Sequence, residues 1–247
     1  SRTVTRPSFI EMAPFLYQES YGSAQIRGNA DLQNGYNYNI DLRYELFEKN
    51  GDMLSITAYY KHLKAPIERV QTLSGGSAVH SFRNADNGMA TGVEIEFRKE
   101  IVKDLRFGVN GSYMYTNVKL PEGGAYTNSQ RALQGASPYL ANADLTYSPA
   151  FSNDRQLSVA LLYNLQGPRI HSVGISGLGD IKQQPVHTLN FTGSYRFNRR
   201  FAVKLQVNDL LNQDILFKQE VPTTGDKVEV ERFRKGTGFE VGFSYDL

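Results

Sequence analysis

The period-two alternation across residues 35–47 constrains the fold of this chain more than any other feature. In this stretch, "GYNYNIDLRYELF", Tyr, Ile and Leu fill even positions 36–46, while Asn, Asp, Arg and Glu fill odd positions 37–45. A β-strand points successive side chains to opposite faces, so one face is apolar and aromatic and the other is polar. Asn50-Gly51 follows and favours a tight turn. The stretch therefore predicts a long strand that ends in a hairpin.

The same alternation recurs along the whole chain. It appears in eight further segments, at about residues 54–60, 93–98, 105–116, 139–147, 157–165, 189–197, 201–207 and 239–247. Many of these nine runs approach the ~9–11 residues that a tilted strand needs to cross a bilayer. No segment has a sustained helical period. The pattern predicts an all-β chain of about nine full strands, preceded by a short strand at Ser1–Thr5.

The connections between these strands alternate in length. Short ones fall at 48–52, 99–104, 149–155 and 198–200, and long ones at 7–34, 67–88, 118–136, 167–185 and 212–235. Loops beyond ~12–15 residues are uncommon in compact domains. An antiparallel up-and-down meander explains them, because it places all short turns at one end and all long loops at the other, as in outer-membrane barrels.

A soluble β-sandwich or jelly roll is the alternative, since its strands alternate in the same way. Two features favour the transmembrane barrel. Tyrosines lie near strand ends, where they suit an interfacial girdle, and the opposite faces carry dense charge of both signs, which suits a wet lumen. Tyr (15) and Phe (14) are abundant while Trp is absent, and no window approaches eighteen consecutive apolar residues.

Composition and spacing argue against several classes of function. Cysteine is absent, which removes thiol catalysis and thiolate metal sites. The net charge of +2 comes with no basic stripe, so nucleic acid is not expected as a partner. The four histidines lack metal-ligand spacing, and no nucleophile elbow occurs. We therefore expect no metal, no cofactor and no enzymatic activity.

Several stretches, in this order, resemble the TonB-dependent outer-membrane receptors, especially those of Bacteroidetes-like bacteria. They are "SRTVTRPSFIEMAPF" (1–15), "GNADLQNGYNYNIDLRYELF" (28–47), "AYYKHLKAPIE" (58–68), "NADNGMATGVEIEFRKE" (84–100), "VNDLLNQDILF" (207–217) and "RKGTGFEVGFSYDL" (234–247). Each motif is weak by itself, but the ordered series covers essentially the whole chain.

This resemblance implies that residues 1–247 are the C-terminal part of a 22-stranded barrel, comprising about its last ten strands. The remaining strands and an N-terminal plug would come from a segment outside this sequence. The implied location is the bacterial cell outer membrane. The implied partners are outer-membrane lipid, TonB acting through the plug, and a surface lipoprotein in some systems.

The implied function is energised uptake of a scarce solute, such as an iron chelate, a cobalamin-like cofactor, a peptide or a glycan. A passive porin-like or structural outer-membrane barrel is the alternative, and a soluble carbohydrate-binding β-domain is a third hypothesis. Long loops on a rigid scaffold carry binding function. Aromatic and cationic loop residues could hold an anionic chelate or stack against a ring. The candidate ligand-binding residues are Tyr17, Tyr21, Arg27, His80, Arg83, Arg169 and His171.

Overall fold

The computed structural model describes residues 1–18, 25–48, 50–74, 77–122, 126–149, 151 and 154–245. The described residues form nineteen β-strands and one short helix, α1 (Phe9–Met12). A capping box begins this helix, because Ser8 N donates to Glu11 Oε2 and Glu11 N donates to Ser8 Oγ. Nothing helical in the described residues has both the length and the apolarity to cross a membrane. Candidate residue Tyr21 lies outside the described residues.

Ten strands form the main sheet, and each is antiparallel to its neighbours. They lie side by side in the same order in which they occur along the chain. They are β1 (Arg2–Thr5), β4 (Gly35–Phe47), β5 (Met53–Lys64), β8 (Asn87–Val102), β9 (Leu105–Lys119), β11 (Tyr139–Tyr147), β12 (Gln156–Gln166), β15 (Val186–Arg196), β16 (Phe201–Asn208) and β19 (Gly238–Tyr245). A short strand, β10 (Gln130–Arg131), extends the pairing of β9. The predicted meander of nine full strands and one short strand is confirmed.

Four short connections join the main strands at one end of the sheet, at 48–52, 103–104, 148–155 and 197–200. Gly51 has a φ of 87° and Asp104 a φ of 65°, so the backbone reverses through the left-handed region at both turns. Asp52 Oδ1 also accepts from Glu100 N, which ties the first turn to the neighbouring strand. This bond is the main cause that lowers the pKa of Asp52.

Apolar side chains on one face of the main sheet are exposed. Leu42 is 75% exposed and Phe243 72% exposed, and both lie within runs of exposed apolar residues. Soluble proteins rarely leave so continuous an apolar surface uncovered, whereas a barrel turns this face to lipid. The opposite face of the sheet is polar. On it an amide ladder crosses three strands, because Asn164 donates to Asn142 and Asn142 donates to Asn110.

The long connections at the other end contain two small sheets that the sequence did not predict. One has the order β2-β3-β7-β6, built from β2 (Leu16–Tyr17), β3 (Ile26–Arg27), β6 (Ile67–Ser74) and β7 (Ser77–Asn84). The other has the order β13-β14-β17-β18, built from β13 (Arg169–Ser172), β14 (Ile181–Gln183), β17 (Ile215–Val221) and β18 (Asp226–Phe233). They are called loop sheet one and loop sheet two below.

These strands escape prediction because their buried faces are not uniformly apolar. In β6, buried Val70 shares its face with buried Glu68, so no apolar and polar alternation results. The most deeply buried side chains of the described residues lie at this loop end, among them Ile26, Val118, Leu120 and Val173. The core of the described chain therefore lies at its loop end.

Candidate functional site

A cleft opens at the loop end between the main sheet and the long connections. Its first pocket has a volume of about 370 Å³ and is lined by Arg131, Arg169, Asp180 and Lys182, together with tyrosines and prolines. A second pocket of about 520 Å³ is also lined by Pro168, Asp180 and Lys182, and it adds Lys218, Glu220 and Lys227. These two pockets are called the loop cleft. Its walls carry five cations and two carboxylates, so its charge favours an anionic ligand.

Arg131 lies at the base of the first pocket and is paired with a buried carboxylate. Its Nη2 is 3.1 Å from Glu68 Oε2, and both side chains are at least 96% buried. Burial raises the pKa of Glu68 to about 7 and lowers the pKa of Arg131, whose charge Glu68 and Asp180 favour. The pair joins β6 to β10, and Arg131 Nη2 also donates to Arg69 O at 3.4 Å.

The guanidinium of Arg131 is only partly satisfied. Within the described residues, its Nε and Nη1 are buried and have no hydrogen-bond partner. The same holds for Tyr126 Oη and Gln134 Oε1. Buried polar groups are usually hydrogen-bonded, and of these residues Arg131 lines the first pocket, so its two unpaired nitrogens mark a place where water or a polar ligand would be stabilised.

Backbone and side-chain bonds hold the other wall of the cleft. Asp180 Oδ1 accepts from Gly174 N at 2.9 Å, and Arg169 Nε donates to Gln183 Oε1 at 2.7 Å. A Cβ on Gly174 would collide with backbone atoms of Leu178 and Gly179, so this close approach requires glycine. These hydrogen bonds position the two charged side chains, Arg169 on β13 and Asp180 just before β14.

Four of the candidate residues lie on loop sheet one. Tyr17 lies on β2 and its hydroxyl donates to Ile10 O, while Arg27 at the end of β3 is exposed. His80 on β7 is buried, with its Nδ1 accepting from Arg69 Nε at 3.1 Å. Arg83 lies opposite Glu68 in the β6–β7 pairing and is half-buried. These positions do not line the loop cleft.

The remaining two lie on loop sheet two. Arg169 lines the cleft, and exposed His171 packs its ring edge-on to buried Phe217, with 4.7 Å between centroids. Gln71 Nε2 lies 3.3 Å from His80 Nε2 and donates to Ser172 Oγ, so the two loop sheets are linked through buried polar groups.

Sequence reasoning missed Arg131, Asp180 and Lys182 as cleft residues. Each is an isolated charge in a long connection, and nothing in its neighbourhood distinguishes it from a solvated loop residue. Of the described residues, no three or more His, Asp or Glu side chains are grouped so as to hold a metal ion.

The fold and the polarity of its two faces define a transmembrane barrel wall with structured loops at one end. The chain matches the outer membrane protein beta-barrel family over residues 1–245, and it belongs to this family. It is therefore a protein of the bacterial outer membrane. The strands cross that membrane with their short turns on the periplasmic side and their long loops outside. No curated protein sequence matches the chain.

Several solved structures share the fold. The ferric enterobactin receptor of Pseudomonas aeruginosa, in complex with BCV-L6, aligns with a TM-score of 0.64 at 19% identity, over 99% of this chain and 37% of that receptor. The siderophore receptor PirA from Acinetobacter baumannii aligns with a TM-score of 0.59 at 16% identity, over 90% of this chain and 33% of that receptor. The ferric yersiniabactin uptake receptor of Yersinia pestis aligns with a TM-score of 0.57 at 16% identity, over 87% of this chain and 30% of that receptor. The chain thus spans about a third of the length of these receptors.

Proposed function

We propose that this chain is the C-terminal part of a TonB-dependent receptor that takes up a scarce anionic solute, such as an iron chelate, by energised transport. The observation that carries the proposal is the loop cleft, with five cations against two carboxylates at the outer end of the barrel wall. An anion that reaches the cleft meets Arg169 and Lys182, which lie on two paired strands of loop sheet two.

The likeness to siderophore receptors supports a receptor over a porin, although the shared fold alone does not specify a solute. The soluble carbohydrate-binding domain is excluded by the exposed apolar face and by family membership. The passive porin-like barrel makes a different prediction, because it would equilibrate solute without an energy source.

Cells that express the complete protein provide the test, with an anionic ferric tris-catecholate and a neutral ferric tris-hydroxamate as probes. We expect surface binding of the anionic complex only. The double variant Arg169→Gln/Lys182→Gln should weaken this binding by about tenfold for each cation removed. The control Arg199→Gln removes an exposed turn cation and should leave binding unchanged.

A protonophore separates the two transport mechanisms. Energised uptake predicts that accumulation stops while surface binding remains. Accumulation that continues after the proton gradient is lost would establish the passive barrel instead. Equal binding of the anionic and neutral complexes would refute the role of the cleft charges.

A further inference from the structure

The outward face of β1, β4, β5, β8 and β9 changes in chemistry toward the loop end. Strand pairing places its side chains in four successive rows. From the middle of the sheet outward, the rows are Leu42–Ala58–Val93–Tyr113, Ile40–Tyr60–Thr91–Tyr115, Arg2–Tyr38–His62–Met89–Asn117 and Val4–Tyr36–Lys64–Asn87–Lys119. An apolar row is therefore followed by an aromatic row and then by cations, as expected across the boundary between acyl chains and lipid headgroups.

The outermost cations form one continuous strip. Lys64 and Lys119 both pair with Asn87, from opposite sides, so their backbones are roughly 10 Å apart. All three residues are exposed. The guanidinium carbon of Arg2 lies 4.3 Å from the centre of the Tyr36 ring, and Tyr36 pairs with Lys64. Arg2, Tyr36, Lys64, Asn87 and Lys119 are called the basic strip.

Among the residues that the structure describes on these strands, no carboxylate shares the face of the basic strip. None of the outward positions in the four rows is Asp or Glu, and the acidic residues of these strands, such as Asp41 and Glu94, fall on the lumen-facing parity. At the turn end, the outward positions of the same strands are apolar except for Lys99. The positive charge is therefore specific to the loop end, which lies in the outer leaflet.

An apolar groove lies on the same face toward the middle of the sheet, and the row that contains Tyr38 and His62 separates it from the two lysines. Its volume is about 470 Å³, and its walls include Ile40, Leu42, Tyr60, Val93 and Tyr113. A ligand that matches both features has an anionic head and an apolar chain. Clustered lysines and arginines at a membrane surface attract anionic lipid headgroups, each cation contributing about fivefold in affinity.

We propose that the basic strip binds the phosphate group of an outer-leaflet lipid, one of whose acyl chains lies in the groove below. Lys64 and Lys119 approach the phosphate from two sides, and Asn87 between them offers an amide donor. Arg2 is held above Tyr36 by a cation–π contact and extends the positive surface. This lipid site is on the outside of the barrel wall. Its basic strip shares no lining residue with the loop cleft, and its groove shares Tyr113 and Tyr115 with the first pocket of the cleft.

Native mass spectrometry of the complete protein, extracted from outer membranes in mild detergent, tests the site. We expect a phosphate-bearing lipid to be retained and the double variant Lys64→Gln/Lys119→Gln to weaken its binding about 25-fold. Lys99→Gln is the matched control, because it removes an outward lysine at the turn end. Unchanged β-sheet circular dichroism would show that each variant is folded.

Adding single compounds back to delipidated protein distinguishes a lipid phosphate from free inorganic phosphate as the ligand. The intact lipid should bind, and neither its dephosphorylated form nor inorganic phosphate should bind with similar affinity. Equal binding of the dephosphorylated lipid would mean that the groove alone acts, and equal binding of inorganic phosphate would mean that no lipid is required. Either result, or equal retention by the double variant and the Lys99→Gln control, would overturn the proposal.

Discussion

The middle and the loop end of the same four strands, β4, β5, β8 and β9, have opposite polarity. In the middle, outward Leu42 is apolar and 75% exposed, and lumen-facing Asp41 is charged. At the loop end, outward Lys64 is charged, while lumen-facing Leu63 and Val118 are only 8% and 1% exposed. Side chains of unlike polarity still alternate along each strand. At the loop end, however, the outward positions carry the charge and the lumen-facing positions are apolar and buried.

The exchange has a physical cause on each side of the sheet. Outside, the strands pass from acyl chains into the headgroup layer, so charge becomes favourable where it was costly. Inside, the long connections fold over the sheet and exclude water from the positions they cover. A period-two pattern therefore specifies that two faces differ, whereas the surroundings at each depth specify which of them is polar.

The largest expected effect comes from the covered loop end. Arg131→Met would leave Glu68 buried without its partner, which costs about 3–5 kcal/mol where such pairs are broken. Hydrogen exchange of the backbone amides in β6 and β10 would report this loss as faster exchange. Arg199→Met, at an exposed pair with Asp154, should change exchange at its own turn by less than about 1 kcal/mol. Similar effects at both sites would contradict a dry loop core.

The next effect concerns the lipid face. Leu42→Arg places a charge in the acyl region and should lower the free energy of unfolding by about 2–4 kcal/mol. Denaturant titration of the complete protein in lipid vesicles measures it. Asp41→Arg, one residue away on the lumen face, should cost far less because water reaches that side. If the two variants are destabilised equally, the assignment of the faces is wrong.

The third effect is a pH dependence at the loop end, which is the smallest of the three when it is expressed per pH unit. The pKa of Glu68 is raised by burial to about 7, so the folded state holds a proton that the unfolded state releases at lower pH. The free energy of opening that protects the β6 amides from hydrogen exchange should therefore fall as pH rises from about 4.5 to about 7. The fall should be at most about 1.4 kcal/mol per pH unit, and the free energy should then level off. Hydrogen exchange corrected for intrinsic rates would show it. Glu68→Gln should remove the slope, and a slope that persists in this variant would assign it to another group.

Much of the main sheet could be predicted because its information is local. Residues 36–46 carry their own two-faced pattern, Asn50-Gly51 carries its own turn, and the alternation of short and long connections orders the meander. The loop sheets could not be predicted in this way. In β6 the buried face contains both Val70 and Glu68, and β13 and β14 are only four and three residues long, too short to show a period.

The candidate site shows the same difference between features that local sequence signals and features that depend on packing. Arg169 was predicted from its loop position and lines the cleft, and whether it and the other candidates bind ligand stays a prediction. Arg131 was missed because its importance arises from burial beside Glu68, which the residues around it in sequence do not signal. His80 was predicted as a loop residue open to a ligand, but the structure places it inside a buried network with Arg69 and Gln71.

By itself, the sequence determined the all-β class, the strand order and the existence of two unlike faces, because each depends on residues that are neighbours along the chain. Only the tertiary structure decided where the core lies, which loop charges meet and where the faces exchange polarity. Arg131 reaches Arg69 across 62 positions, and Gln71 reaches Ser172 across 101. Contacts over such separations follow from how the loop sheets pack, and no local period encodes that packing.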